Sequence, residues 1–135
     1  MYGYTISAVD SIGPNGGVLS AALFDSPHIV AINEADPLGG IYIDLPDNES
    51  VIVPLDELAP MASYRMIGTV SNVSTNGGFA TFDIMDGATV MQTITVAALG
   101  NFELAFTAPS SGTASLRLTT SGKAIGIKDV KIERT

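Results

Sequence analysis

The sequence predicts an all-β chain, folded as an antiparallel sandwich with an N-terminal arm. Three observations carry this. In residues 101–134, apolar and polar residues alternate with period two: Phe102, Leu104 and Phe106, then Ala114, Leu116 and Leu118, then Ile125 and Ile127. Such alternation marks strands with one face on a core and the other in water. Turn residues recur at short intervals, at Asp86-Gly87, Pro109 to Gly112 and Ser121-Gly122. No amphipathic helical stretch longer than about ten residues interrupts the pattern, and there is no internal repeat.

Taken in order, residues 1–17 read as an arm. Tyr2, Tyr4 and Ile6 alternate, and the Gly/Pro/Asn-rich SIGPNGG of residues 11–17 is loop chemistry. Residues 18–135 read as one domain, a length sufficient for a real core. The apolar run VLSAALF at 18–24 is compatible with a buried strand or with one and a half turns of helix. Strand is preferred, because Gly17 and Asp25-Ser26-Pro27 bracket it at strand length. A short β-branched run follows at 29–32. IYIDL at 41–45 then puts Ile41, Ile43 and Leu45 on one face. In residues 51–55, Pro54 confines the strand to an edge or an end. Residues 56–62 (DELAPMA) are read as one turn of helix, cut by Pro60.

Strands are then expected at 63–70, 79–85 and 89–96. Asp86-Gly87 makes the last two a hairpin, because both positions tolerate positive φ. The three strands of residues 101–134 complete about eight from residue 41 onward, the spacing of a sandwich or barrel. In the final strand the alternation slips. Ile125 and Ile127 share one parity, Val130 and Ile132 the other, which predicts a bulge near Lys128-Asp129.

Charge excludes some functions. The chain has 6 Lys plus Arg against 14 Asp plus Glu, a net charge of −8. Residues 1–60 hold nine of the acids and no base, while five of the six bases lie in the last third. An acidic first half argues against nucleic acid and against anionic membrane surfaces, both of which need Lys and Arg. Only 15% of residues are charged, against about 25% in an average globular protein. So apolar a surface predicts subunit contacts, and a homo-oligomer is expected, with dimer and trimer both open. No Cys is present, and Met1 is followed by no positive n-region or long apolar h-region, so neither disulfides nor a secretory signal is expected.

Catalytic chemistry finds little footing. His28 is the single histidine, with no Cys or second imidazole to complete a zinc site. There is no G-x-S-x-G elbow, P-loop or EF-hand pattern. Asp56-Glu57 are adjacent, and Asp83 and Asp86 flank a hairpin, where turns place Asp anyway. No enzyme, cofactor or metal is expected.

Residues 63–133 resemble the later strands of carbohydrate-binding-module-like jelly rolls, through SYRMIGTV, FATFDIMDG, GNFELAFTAPSSGTASLRL and GIKDVKIE. Such domains carry a small residue near the end of the first of these strands, an Asp-Gly hairpin, an aromatic-rich strand ending in Thr-Ala-Pro, and a last Asp-Val-x-Ile strand. The resemblance implies a jelly-roll-like sandwich and, near Asp129, a region that often contributes to structural calcium sites. A plain bulge with an exposed Asp129 is preferred here. Jelly rolls of this sort look like sugar-binding modules and like accessory domains of virion proteins. The leading expectation is a structural virion protein on the capsid surface: a capsid decoration (cement) protein of a bacteriophage, stabilising a shell through protein–protein contacts. Tyr2, Tyr4 and Ile6 would anchor it to a neighbouring copy or to the shell. The alternative is a carbohydrate-binding module, or a receptor-binding domain of a tail or fibre protein. Without Trp, its sugar platforms would be Tyr42 and Tyr64; the Phe residues are read as core, except Phe79, which falls opposite Phe82 and Ile84.

Overall fold

The alternating segments pair into two antiparallel sheets in a computed structural model that describes residues 12–33, 35, 40–46, 49–74 and 77–135. In chain order the elements are β1 (Gly16–Val18), α1 (Ala21–Phe24), β2 (Ile29–Ala31), β3 (Gly40–Ile43), β4 (Ser50–Leu55), β5 (Ser63–Val73), β6 (Ala80–Asp86), β7 (Thr89–Val96), β8 (Gly100–Thr107), β9 (Ala114–Thr120) and β10 (Ile125–Arg134). The larger sheet runs β2-β3-β10-β5-β8, with β1 also on β10; the smaller runs β4-β9-β6-β7. This is an all-β jelly-roll sandwich, as the alternation predicts. The three strands of the last third are not neighbours: β8 and β10 flank β5 in the larger sheet, and β9 lies inside the smaller one.

The core is the inward parity of both sheets. From the larger sheet come Ile41, Ile43, Met66, Ile125 and Ile127; from the smaller, Phe82, Ile84, Leu116 and Leu118. All are fully buried. Phe82 of β6 stacks on Phe102 of β8 with centroids 5.8 Å apart, tying the sheets together. Pro54 lies in β4, an edge strand, where no inner ladder needs its missing N–H. The Asp86-Gly87 turn joins β6 to β7, with Gly87 at φ +60. The parity slip in β10 is a bulge: Lys128 pairs with Thr69 and Lys131 with Ile67, so Asp129 and Val130 together oppose Gly68. Asp129 takes the left-handed φ of +53 there.

Three readings of the sequence need correction. Residues 18–24 are not one strand. β1 ends at Val18, Ser20 is extended, and a four-residue helix follows, ended by Asp25 at φ +47 with its N–H on the Ala22 carbonyl. Ala-Ala-Leu favours helix, and the turn buries Leu19 and Phe24 together. The arm boundary at 17/18 falls inside β1. Ile12 is buried, and Gly16 and Gly17 pair with Glu133 and Ile132. Gly16 is required at this contact, since a Cβ there would overlap the Ile132 carbonyl. Residues 56–62 contain no helical turn. Met61 takes φ +63, and Leu58 instead donates its N–H to the Gly112 carbonyl. Tyr2, Tyr4 and Ile6 lie outside the described residues.

Candidate functional site

Alternation along β5 sends Tyr64, Met66 and Val70 into the core and Arg65, Ile67 and Thr69 to the outer face of the larger sheet. The ladder fixes what stands beside them. β8 sets Ala105, Glu103 and Asn101 opposite Arg65, Ile67 and Thr69. β10 sets Glu133, Lys131 and Lys128 opposite the same three. The β10 bulge breaks this regular surface, and an open depression of about 620 Å³ lies over it. Arg65, Thr69, Asn101, Glu103, Asp129 and Lys131 line it, Ile67 stands among them, and Gly68 and Phe102 also contribute.

The polar groups of this face hold one another in place. Arg65 donates from Nε to Glu133 Oε2 at 2.9 Å, and its Nη1 reaches Glu103 Oε1 at 3.4 Å. Lys131 Nζ lies 3.0 Å from Glu133 Oε1. The Thr69 hydroxyl donates to Asn101 Oδ1 at 2.7 Å, which leaves the Asn101 amide N–H groups as donors. The lining carries two cations, Arg65 and Lys131, and two anions, Glu103 and Asp129, and is therefore charge-balanced. A set of neighbouring donors and acceptors with no net charge, most of them hydrogen-bonded or ion-paired to one another, suits an uncharged polyhydroxyl ligand. Among the described residues, no group of three or more His, Cys, Asp or Glu side chains could hold a metal ion.

Hydrogen bonds from Lys131 and then Arg65 hold the Glu133 carboxyl below its ordinary value, and Glu133 in turn raises Arg65. A depressed carboxylate contributes order above the unfolded value and loses it as pH falls through the folded one. The Arg65–Glu133–Lys131 cluster is thus expected to be intact at neutral pH and to loosen only in acid, below the ordinary Glu value of about 4.3. A carboxyl-carbon NMR titration of Glu133 checks this; a midpoint at or above the ordinary value would contradict it.

The two tyrosines read as sugar platforms part ways. Tyr42 is on the outer face, 36% exposed, paired with Val30 on β2 and Gly126 on β10. With exposed Val30 and Ile32 it forms an apolar patch on the same face as the depression. β10 lies between β3 and β5, so Tyr42 stands two strand spacings from β5, about 10 Å across the sheet, and is further offset along the strands, level with Gly126 and Asn72 rather than with Ile67 and Thr69. Tyr64 is 1% exposed and cannot be a platform. Its ring stacks on Phe106 at 5.7 Å, and its hydroxyl donates to the Pro14 carbonyl at 2.6 Å while accepting from the Ala59 N–H at 2.8 Å. Phe79 is 40% exposed, as its parity predicts. The lining residues Arg65, Asn101 and Glu103 went unmarked in the sequence. Their signal was the polar parity of the segments that became β5 and β8; only the bulge at Asp129 pointed to this place.

No protein-family model matches the chain, and no curated protein matches it in sequence. Solved structures do share its fold. It is similar to a carbohydrate-binding module, CBM6cm-2 of Cellvibrio mixtus lichenase 5A, solved in complex with cellotriose. The TM-score is 0.56 at 17% identity, over 91% of this chain and 98% of that one. It is similar to the C-terminal CBM6 of LamC, a marine laminarinase from Zobellia galactanivorans, with TM-score 0.60 and 16% identity over 88% and 99%. It also resembles part of the enzymatically active domain of tailspike protein 4 of bacteriophage CBA120, with TM-score 0.54 and 10% identity. That match spans 90% of this chain but only 22% of the tailspike domain. The fold is thus the jelly roll found in carbohydrate-binding modules.

Proposed function

We propose that this chain is a non-catalytic module that binds an uncharged glycan on the outer face of its larger sheet. The observation that carries the reading is the charge-balanced, hydrogen-bonding depression at the β10 bulge, with exposed Tyr42 on the same face. Fold likeness to carbohydrate-binding modules adds support by analogy. Arg65 and Asn101 would donate to sugar hydroxyls, Glu103 and Asp129 would accept, and Tyr42 would offer a ring face to a neighbouring sugar unit. This reading takes the place of capsid decoration, which finds no support in the comparisons. A second reading, a glycan-recognising part of a phage tail component, draws on the tailspike likeness and uses the same binding chemistry.

The test is a glycan array followed by calorimetry on the best neutral hit. Arg65→Ala and Asn101→Ala are each expected to weaken binding about tenfold, or about 1.4 kcal/mol. Tyr42→Ala should weaken it while leaving stability nearly unchanged. Ile52→Ser, at an exposed position of the other sheet, should change neither. A folded protein with no saturable binding to any neutral glycan would sink the proposal. Adsorption to a bacterial surface polysaccharide would favour the tail reading.

A further inference from the structure

The outer edge of the smaller sheet is β7, paired on its other side with β6. An edge strand presents unpaired backbone N–H and C=O groups, and proteins usually blunt such edges with charge, proline or brevity. The other edges here are blunted. β4 contains Pro54, β8 carries Glu103 at its centre, and β1 and β2 are each three residues long. β7 reads TVMQTITV, eight residues with neither charge nor proline. Its one irregularity is the extra residue Met91, since Ile84 pairs with Gln92 and Met85 with Val90. That leaves Gln92 to Val96 as a regular edge with no further strand on it among the described residues.

The geometry points to a two-fold contact in which β7 of one copy pairs antiparallel with β7 of a second copy, joining the two smaller sheets into one of eight strands. The second copy is the occupant because the edge is self-complementary. Thr93-Ile94-Thr95 reads the same in both directions. A two-fold at Ile94 therefore sets Ile94 against itself, Thr93 against Thr95 of the second copy, and Gln92 against Val96. Thr93 and Thr95 are exposed on the outer face, while Ile94 is half-buried against the core. Cross-strand Thr pairs and β-branched pairs are favourable, and an uncharged strand meets no like charge when it faces itself. A second observation agrees. Exposed Val90 and Leu99 lie at opposite ends of this edge, at 43% and 69% exposure. The same axis brings Leu99 of each copy toward the Val90 end of the other.

The test uses the full chain in sedimentation velocity over a wide range of concentration. The wild type should dimerise. Thr93→Lys with Thr95→Lys places Lys against Lys twice across the axis and should raise the dimer Kd about tenfold or more. Thr93→Lys with Thr95→Glu places Lys against Glu twice and should keep the dimer or tighten it. Both positions are exposed, so folding is expected to survive, and far-UV circular dichroism with melting checks that. Hydrogen exchange on the wild type gives an independent reading, with β7 amides gaining protection as concentration rises. A wild type monomeric at every concentration overturns the proposal. So does a Lys/Lys variant that dimerises like the wild type, or a Lys/Glu variant as monomeric as the Lys/Lys one.

Discussion

Replacing Tyr64 with alanine is expected to destabilise the fold by about 3–5 kcal/mol, as removal of a large buried aromatic does. Total stabilities of single domains are about 5–15 kcal/mol, so this one change removes about a fifth of the total at the least. The cost has three sources. The ring is fully buried beside Phe106, at 5.7 Å between centroids, and its loss leaves a cavity. The Ala59 N–H loses its acceptor. The Pro14 carbonyl keeps only the longer 3.5 Å contact from Arg134. Tyr64 thus fastens two peripheral segments, the entry to β1 and the β4–β5 connection, to one core side chain. Tyr64→Phe separates the contributions: it keeps the stack, strips the hydroxyl, and should cost about 1–3 kcal/mol. Urea midpoints for the two variants, with Tyr42→Ala as comparison, check the ranking. If Tyr64→Ala unfolds with the wild type, this account of the core is wrong.

The contrast between the two tyrosines shows how much the sequence held. Ile41, Ile43 and Leu45 share one parity, which turns Tyr42 outward. Tyr64 shares parity with Met66 and Val70, which turns it inward. Both facts were legible, since alternation is local. The bulge at Asp129 was legible for the same reason, because a parity slip needs only the residues on either side of it. The site around it was not. Arg65 meets Glu133 across 68 positions of chain and Glu103 across 38. Those meetings exist only because β5 lies between β8 and β10, an order with no local trace. The segment at 18–24 failed for another reason: a short apolar run does not distinguish strand from helix, and the burial of Leu19 and Phe24 decided it.

Gly68→Ala is the second large effect, expected at about 1–3 kcal/mol by overpacking. Gly68 sits in the middle of β5, where glycine ordinarily weakens a strand, so its place needs a reason. Phe102, its register partner on β8, lies across it. A Cβ on residue 68 would stand 2.8 Å from Phe102 Cζ, 2.9 Å from Cε2 and 3.2 Å from Ile127 Cγ2. The ring cannot yield without cost, because its other face stacks on Phe82 from the opposite sheet. The added methyl must therefore loosen the stack that joins the sheets, or lift β5 from β8. Either movement reaches the depression, which Gly68 and Phe102 both line, so stability and glycan affinity should fall together. Phe102→Leu shortens the obstructing group. If the clash is the cause, Gly68→Ala combined with Phe102→Leu should be more stable than the sum of the single changes predicts, as contacting residues in a double-mutant cycle allow. Strict additivity would place the cost of Gly68→Ala elsewhere, and would leave the glycine in β5 without the role assigned to it.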